Sequence, residues 1–371
     1  MDSNWHIYAP FVLRGGNMEM KNLFCLLFAL LCMLTAGCTF ERIYVGSSDG
    51  ISRMVLMLEP RFWYGAKVSN TPGISYMARQ GKFLYAARRV SKGGYGVDSY
   101  QILKNGDLKA LNSFTIPGKT GYCHISLSAD GKFLFGSSYS GAFVDLLSLN
   151  SDGRIIKLHK RYFFSGRSVH KRQKKSHPHF ASQTPDGKMI LVADLGSDRI
   201  HTFKYDAVEG ALPEKSIAVT PGAGPRHLSF SEDGKFFFAA NELNNTVTSF
   251  TLGQGKIKMI DSCSLLPDSW KGTSYAGAIK TIPGNRLCVT NRGHDSIAVV
   301  KFDPQGKLKL EKIFSAAGNF PYDLEYINGK LFLVNMRSDT FSDWTEKNND
   351  WKINDKGTIR RPMCVVAAEK R

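Results

Sequence analysis

One pattern dominates the sequence. A glycine followed by a lysine and a short apolar run recurs as Gly81-Lys82-Phe83-Leu84-Tyr85, Gly131-Lys132-Phe133-Leu134-Phe135, Gly187-Lys188-Met189-Ile190-Leu191 and Gly234-Lys235-Phe236-Phe237-Phe238. Gly284-Asn285-Arg286-Leu287-Cys288 and Gly329-Lys330-Leu331-Phe332-Leu333 continue the series, and the glycines are spaced 50, 56, 47, 50 and 45 residues apart. A related strand without its own glycine, Arg42 to Gly46, precedes them, which makes seven units. A second glycine follows within five of the units, at Gly106, Gly153, Gly210, Gly255 and Gly306, 21 to 25 residues after the first. Alternating apolar and polar residues flank each second glycine, as in Thr246 to Phe250 and Lys256 to Ile260. Two glycine turns per unit give two hairpins and hence four antiparallel strands. Seven such units read as an all-β, seven-bladed β-propeller, with a two-sheet sandwich array as the alternative. Closure requires Arg42 to Gly46 and the last apolar run, Met363 to Ala368, to share one blade.

This geometry says where chemistry can sit. With strands A to D in each blade, the first glycine joins A to B and the second joins C to D, so both turns fall on one face. The start of A and the end of B meet on the opposite face. Four polar segments stand at such places: Ser176-His177-Pro178-His179, Gly224-Pro225-Arg226-His227, Asn241-Glu242-Leu243 and Asn291-Arg292-Gly293-His294-Asp295. Three consecutive blades thus aim histidines, arginines and a carboxylate at one rim, the convergence that a cleft requires.

The 371 residues divide into a leader, 1–38, and a repeat domain, 39–371. The run Leu23 to Leu34 is too short to span a bilayer and follows Lys21, as in a signal peptide. Thr35-Ala36-Gly37-Cys38 then resembles a bacterial lipobox, with Leu34 one place earlier than usual. The expectation is an exported cell-envelope lipoprotein acylated at Cys38, membrane contact being through that anchor alone. A cleaved signal peptide, an uncleaved membrane anchor and, if the run is no signal, a cytoplasmic protein are the alternatives. Met20 is a conventional start, so residues 1–19 are left out of the fold. Four cysteines remain beyond Cys38, widely spaced and without zinc spacing, so neither metal nor other cofactor is expected. Cys288 and Cys364 lie in apolar runs and are expected to be buried.

Lys+Arg 49 against Asp+Glu 32 gives a net charge of +17, which favours anionic partners. Nucleic acid is not expected, because the basic run Arg167 to Lys175 lacks interleaved aromatics. No nucleotide-binding glycine motif is present, and oligomeric state is not legible.

The segments Arg172-Gln173, His177-Pro178-His179, Pro185-Asp186-Gly187, Val192-Ala193-Asp194-Leu195-Gly196 with Asp198-Arg199, Gly222-Ala223-Gly224-Pro225-Arg226-His227, Asn241-Glu242-Leu243 and Asn291 to Ile297 together resemble the lactonase family of seven-bladed propellers. That family comprises propeller-type 6-phosphogluconolactonases and fungal carboxymuconate lactonizing enzymes. The resemblance runs from about Arg42 to the C-terminus and is strongest from Arg172 to Val300. It implies a hydrolase acting on a small anionic sugar lactone, with 6-phosphogluconolactone the default substrate. A muconate-type cyclase and a non-catalytic envelope propeller binding a glycan or protein are the alternatives. By the same resemblance His179, Glu242, Arg226 and Arg292 are the candidate catalytic residues. A neutral imidazole or a carboxylate can activate water, and guanidinium groups can hold an oxyanion and the substrate's charge. Arg172, His177, His227 and His294 are candidate substrate contacts, with a structural role the first reading for these three histidines and for His124. Asp194 and Asp295 are expected to anchor loops. The chain departs from the family at Pro321-Tyr322-Asp323, which lacks an arginine, at Ala278, where an acid is usual, and at Arg88-Arg89, which replace an asparagine.

Overall fold

The repeated turns are built by a local rule. In Ser128-Ala129-Asp130-Gly131-Lys132 the Asp130 Oδ1 accepts from the Ser128 hydroxyl at 2.7 Å and from the Lys132 N–H at 3.1 Å, which bends the chain. Asp186 and Asp233 repeat both contacts with Thr184 and Lys188, and with Ser231 and Lys235. Gly131, Gly187 and Gly234 follow at φ 71°, 72° and 67°, left-handed backbone that glycine adopts without steric cost. The computed structural model describes residues 5–8, 40–58, 61–89, 94–253, 257–348 and 350–368. Gly255 and Cys38 lie outside them.

Seven sheets of antiparallel strands form a ring, with no helix among the described residues. Blade 1 is the closure: Pro362–Ala367 pairs with Phe40–Ser47, joining the two ends of the domain in one sheet. Blades 2 to 7 follow in chain order, with innermost A strands at Ile74–Gln80, His124–Leu127, Pro178–Gln183, Pro225–Phe230, Tyr275–Ile282 and Pro321–Ile327. Trp5–Tyr8, within the leader, pairs antiparallel with Arg61–Ser69 as a fifth, outermost strand of blade 1. An outer edge strand offers unpaired backbone groups that such a segment can satisfy.

Apolar residues alternate on both faces of each sheet, so every blade buries side chains against both neighbours. Each of the seven blade interfaces accordingly has its own core cluster. Phe236, Phe238, Val289, Val300 and Phe302 fill the interface between blades 5 and 6, and Trp63, Phe332 and Phe341 close blade 7 onto blade 1. Cys288 and Cys364 are buried, as expected of thiols in apolar strands.

Candidate functional site

Strand A of several blades opens with the same irregularity. Pro178 pairs with Asp194 and Phe180 with Ala193, which leaves His179 as an extra residue in a bulge. Arg226 is the extra residue between Pro225 and His227, and Tyr322 between Pro321 and Asp323. A bulge re-aims one side chain out of the pleat, here at the mouth of the ring. The ends of the B strands supply the rest. Arg292 is the last residue of Arg286–Arg292, and Glu242 follows Phe236–Asn241, its N–H bonded to the Gly224 carbonyl at 2.8 Å.

The structure brings four of the candidates together on one carboxylate or beside it. Glu242 Oε1 lies 2.6 Å from Arg172 Nη2, and Oε2 lies 2.7 Å from Arg292 Nη2 and 3.0 Å from Arg226 Nε. Arg226 pairs as a charge without hydrogen-bond alignment, and its Nη1 has no hydrogen-bond partner. Glu242 and Arg226 are only 4% and 1% exposed, so these charges act in a low dielectric. Burial disfavours the ionised carboxyl, but Arg292, Arg226 and Arg172 outweigh it and hold Glu242 far below the ordinary carboxylate range. A carboxylate so held is a counter-ion and too weak a base to activate water. Burial, with Arg292's cationic neighbour Arg226, also lowers the Arg292 pKa.

His179 is buried beside this cluster, and its Nδ1 has no hydrogen-bond partner. Burial first, then Arg226, drives its pKa well below 6.5, so it is a neutral imidazole at neutral pH. Three guanidinium groups against one carboxylate leave an excess of two positive charges at the mouth. The loop that carries Arg172 is fixed from below: Gln173 Nε2 donates to the Leu195 carbonyl at 2.8 Å and to Asp198 Oδ1 at 2.7 Å. Asp198 in turn accepts from the Gly222 and Gly224 N–H groups, both at 2.6 Å, and so ties that loop to the one preceding Arg226.

The remaining candidates separate. His227 reaches the cluster from beneath, its ring 5.2 Å from that of His179. His177 is a loop residue in its contacts. Its ring stacks on Tyr139 at 4.1 Å, its Nδ1 meets the Tyr139 carbonyl at 2.8 Å, and its N–H donates to Asp194. His294 packs edge-on against Trp270 at 4.6 Å and bonds Ser296, taking no part in the cluster's contacts among the described residues. Asp194 accepts from the His177 and Gly196 N–H groups, and Asp295 from those of Gly293 and Phe320, the anchoring expected of both.

Several mouth and floor residues escaped the sequence reading. Tyr139 ends strand B of blade 3 as Glu242 does in blade 5, and its hydroxyl accepts from Arg172 Nη2 at 3.2 Å. Tyr322, noted only as a missing arginine, places its ring 5.5 Å from the Arg226 guanidinium and 5.7 Å from that of Arg292. Arg88 turns into its own blade, to Asp98 and the Gly94 carbonyl. Below the mouth the rings of Tyr76, His124, Phe180 and His227 touch across the axis, with His124 4.4 Å from Tyr76 and 4.2 Å from Phe180, and Tyr76 5.9 Å from His227. These rings form an aromatic and imidazole floor beneath the cluster.

Known proteins agree with this architecture. Residues 39–366 match the family model Lactonase, 7-bladed beta-propeller. An uncharacterized protein of Staphylococcus aureus (strain bovine RF122 / ET3-1) is 35% identical over 267 residues, covering 70% of this chain and 77% of the relative. The solved periplasmic gluconolactonase PpgL of Pseudomonas aeruginosa is 25% identical with a TM-score of 0.81, over 89% of this chain and 99% of that one. A candidate 6-phosphogluconolactonase from Bacteroides fragilis NCTC 9343 is 25% identical with a TM-score of 0.80, over 90% and 99%. The chain therefore belongs to the seven-bladed β-propeller lactonase family.

Proposed function

We propose that this protein hydrolyses an anionic sugar lactone, with 6-phosphogluconolactone the substrate that the family and its Bacteroides fragilis relative suggest. The observation that carries the reading is the Glu242 carboxylate bound by Arg172, Arg226 and Arg292 beside the buried, neutral imidazole of His179. In this scheme the His179 imidazole takes a proton from water as the oxygen attacks the lactone carbonyl. The oxyanion forms against the Arg226 and Arg292 guanidinium groups, and His179 returns the proton to the departing ring oxygen. Glu242 keeps the three arginines in place and supplies one negative charge, leaving two positive charges to attract the substrate's phosphate or carboxylate. The basic loop from Arg167 to Lys175 steers such an anion toward the mouth.

The protonation states favour hydrolysis over a muconate-type cyclisation on the same scaffold. Lactone-forming cyclisation requires a protonated acid to deliver hydrogen to carbon, whereas the imidazole and the carboxylate at this mouth are both held deprotonated. Export also belongs to the proposal: the apolar run and Cys38 direct the protein to the cell envelope, the compartment that PpgL's description gives for that relative. A periplasmic location points to a plain aldonolactone as the second substrate to try.

The test is the purified chain assayed against phosphorylated and plain aldonolactones, with the spontaneous opening subtracted. We expect His179→Asn and Arg226→Lys each to lower kcat/KM about 100-fold or more. Unchanged rates in both variants would overturn the assignment, and absence of any lactone opening by the wild type would favour the binding module.

A further inference from the structure

The cations on Glu242 are graded in depth. The side chains of Arg226 and Arg292 are 2% and 7% exposed, whereas that of Arg172 is 34% exposed. A ligand entering from solvent therefore meets Arg172 first. With it the ligand meets the half-buried Tyr139, whose hydroxyl oxygen accepts from Arg172 Nη2 at 3.2 Å.

Tyr139 is fixed through its ring and its backbone. The ring stacks on the His177 imidazole, with centroids 4.1 Å apart and only 10° between the planes. His177 is itself pinned: its Nδ1 meets the Tyr139 carbonyl at 2.8 Å, and its N–H donates to Asp194 at 2.6 Å. The residue after Tyr139 is tied to the same loop, Lys175 Nζ donating to the Ser140 carbonyl at 2.9 Å. The His179 ring stands nearly perpendicular to that of Tyr139, 5.9 Å away. The phenol thus borders both the outermost guanidinium and the imidazole, and it is held there before any ligand arrives.

The hydroxyl is only half used. It accepts from Arg172, and among the described residues its own proton is donated to nothing. Because Nη2 occupies one lone pair, the O–H points away from the guanidinium, and a second lone pair stays open. Three guanidinium groups and a carboxylate answer full charges, namely the substrate's acid group and the oxyanion. A neutral hydroxyl that can both give and receive is the complement of another hydroxyl. We propose that Tyr139 is a specificity-determining contact, donating its free proton to a hydroxyl group of the substrate. The proposal rests on the hydrolase reading and narrows its substrate class to polyhydroxylated lactones. A lactone with a bare ring would cover the phenol and leave its O–H without a partner, which is how a polar site rejects an analogue that lacks the group it was built to hold. Tyr139 forms and breaks no covalent bond in this role; it binds and orients.

The test compares D-glucono-δ-lactone with δ-valerolactone, the same six-membered ring without hydroxyl groups, in the purified wild type and in Tyr139→Phe. Phenylalanine keeps a ring for His177 to stack on, so the change removes the hydroxyl alone. We expect the preference for the hydroxylated lactone, as a ratio of kcat/KM values, to fall about tenfold in Tyr139→Phe, chiefly through KM. An unchanged ratio would overturn the proposal. So would equal losses on both lactones, which mean that Tyr139 acts only through Arg172 or the His177 stack. A second readout needs no turnover. In protein isotopically labelled at the tyrosine Cζ, the resonance that is missing from Tyr139→Phe should shift on adding D-gluconate and not on adding hexanoate, an acid of equal chain length without hydroxyl groups. No shift with gluconate, or the same shift with both acids, overturns the contact. Where the wild type leaves either lactone unopened, the labelled tyrosine decides the contact alone. Only a wild type that opens no lactone at all, phosphorylated ones included, overturns the hydrolase.

Discussion

A single carboxylate organises the mouth, and removing its charge exposes how much depends on it. Glu242→Gln leaves Arg226 and Arg292 buried without their counter-ion, a change that typically costs about 3–5 kcal/mol. Urea unfolding should report that loss, and kcat/KM should fall with it because the arginines lose their fixed positions. The buried histidines make a second prediction. In the unfolded chain each takes up a proton near its ordinary 6.5, whereas His124, His179 and His227 resist it, through burial first and then Lys280 or Arg226. Below 6.5 the unfolded state therefore binds more protons, and stability is lost as the pH falls. Asp323 works the other way: held protonated up to about 7, it offsets one of the three histidines over the same window. The net of two protons gives a loss of up to about 2.7 kcal/mol per pH unit. Urea midpoints measured between about pH 7 and pH 5 check it, and Asp323→Asn should steepen the slope.

At the scale of strands and loops, bulges and close backbone approaches decide what faces the mouth. Gly196 sits where the loop bearing Arg172 and His177 crosses it, and a Cβ there would lie 1.9 Å from the Lys175 carbonyl oxygen. Gly196→Ala should therefore displace that loop, lower the melting temperature by an overpacking cost of about 1–3 kcal/mol, and raise KM more than it lowers kcat. The repeat was legible in the sequence because the turn between strands A and B reuses a glycine, preceded by an Asp in three of the units. The rim was legible because Glu242 and Arg292 end strands that the repeat had already located. The bulges were not, since one extra residue leaves no compositional trace. A signal did exist: Pro178, Pro225, Pro321 and Pro362 each open strand A immediately before the extra residue, where a missing N–H is tolerated. The floor escaped because Tyr76, His124 and Phe180 are scattered over three blades and carry no local pattern that marks them as neighbours. Only the closed ring brings them across the axis.

For the molecule as a whole, the blade shared by Pro362–Ala367 and Phe40–Ser47 holds the ring shut. A chain ending before Pro362 exposes the inner edge of blade 1 and the cluster around Trp63. It should lose cooperative unfolding by circular dichroism and elute as aggregate. The leader makes a separate prediction: expressed in a bacterium with its own export machinery, the mature protein should begin at an acylated Cys38 by mass spectrometry, and Cys38→Ser should leave it unlipidated. The packed floor has a kinetic corollary for the proposed enzyme. With rings packed directly beneath the arginine cluster, lactone and product share the mouth, and a spent aldonate must back out before fresh lactone can enter. Departure, rather than bond cleavage, would then pace turnover once the lactone is abundant, and the aldonate should act as a competitive inhibitor.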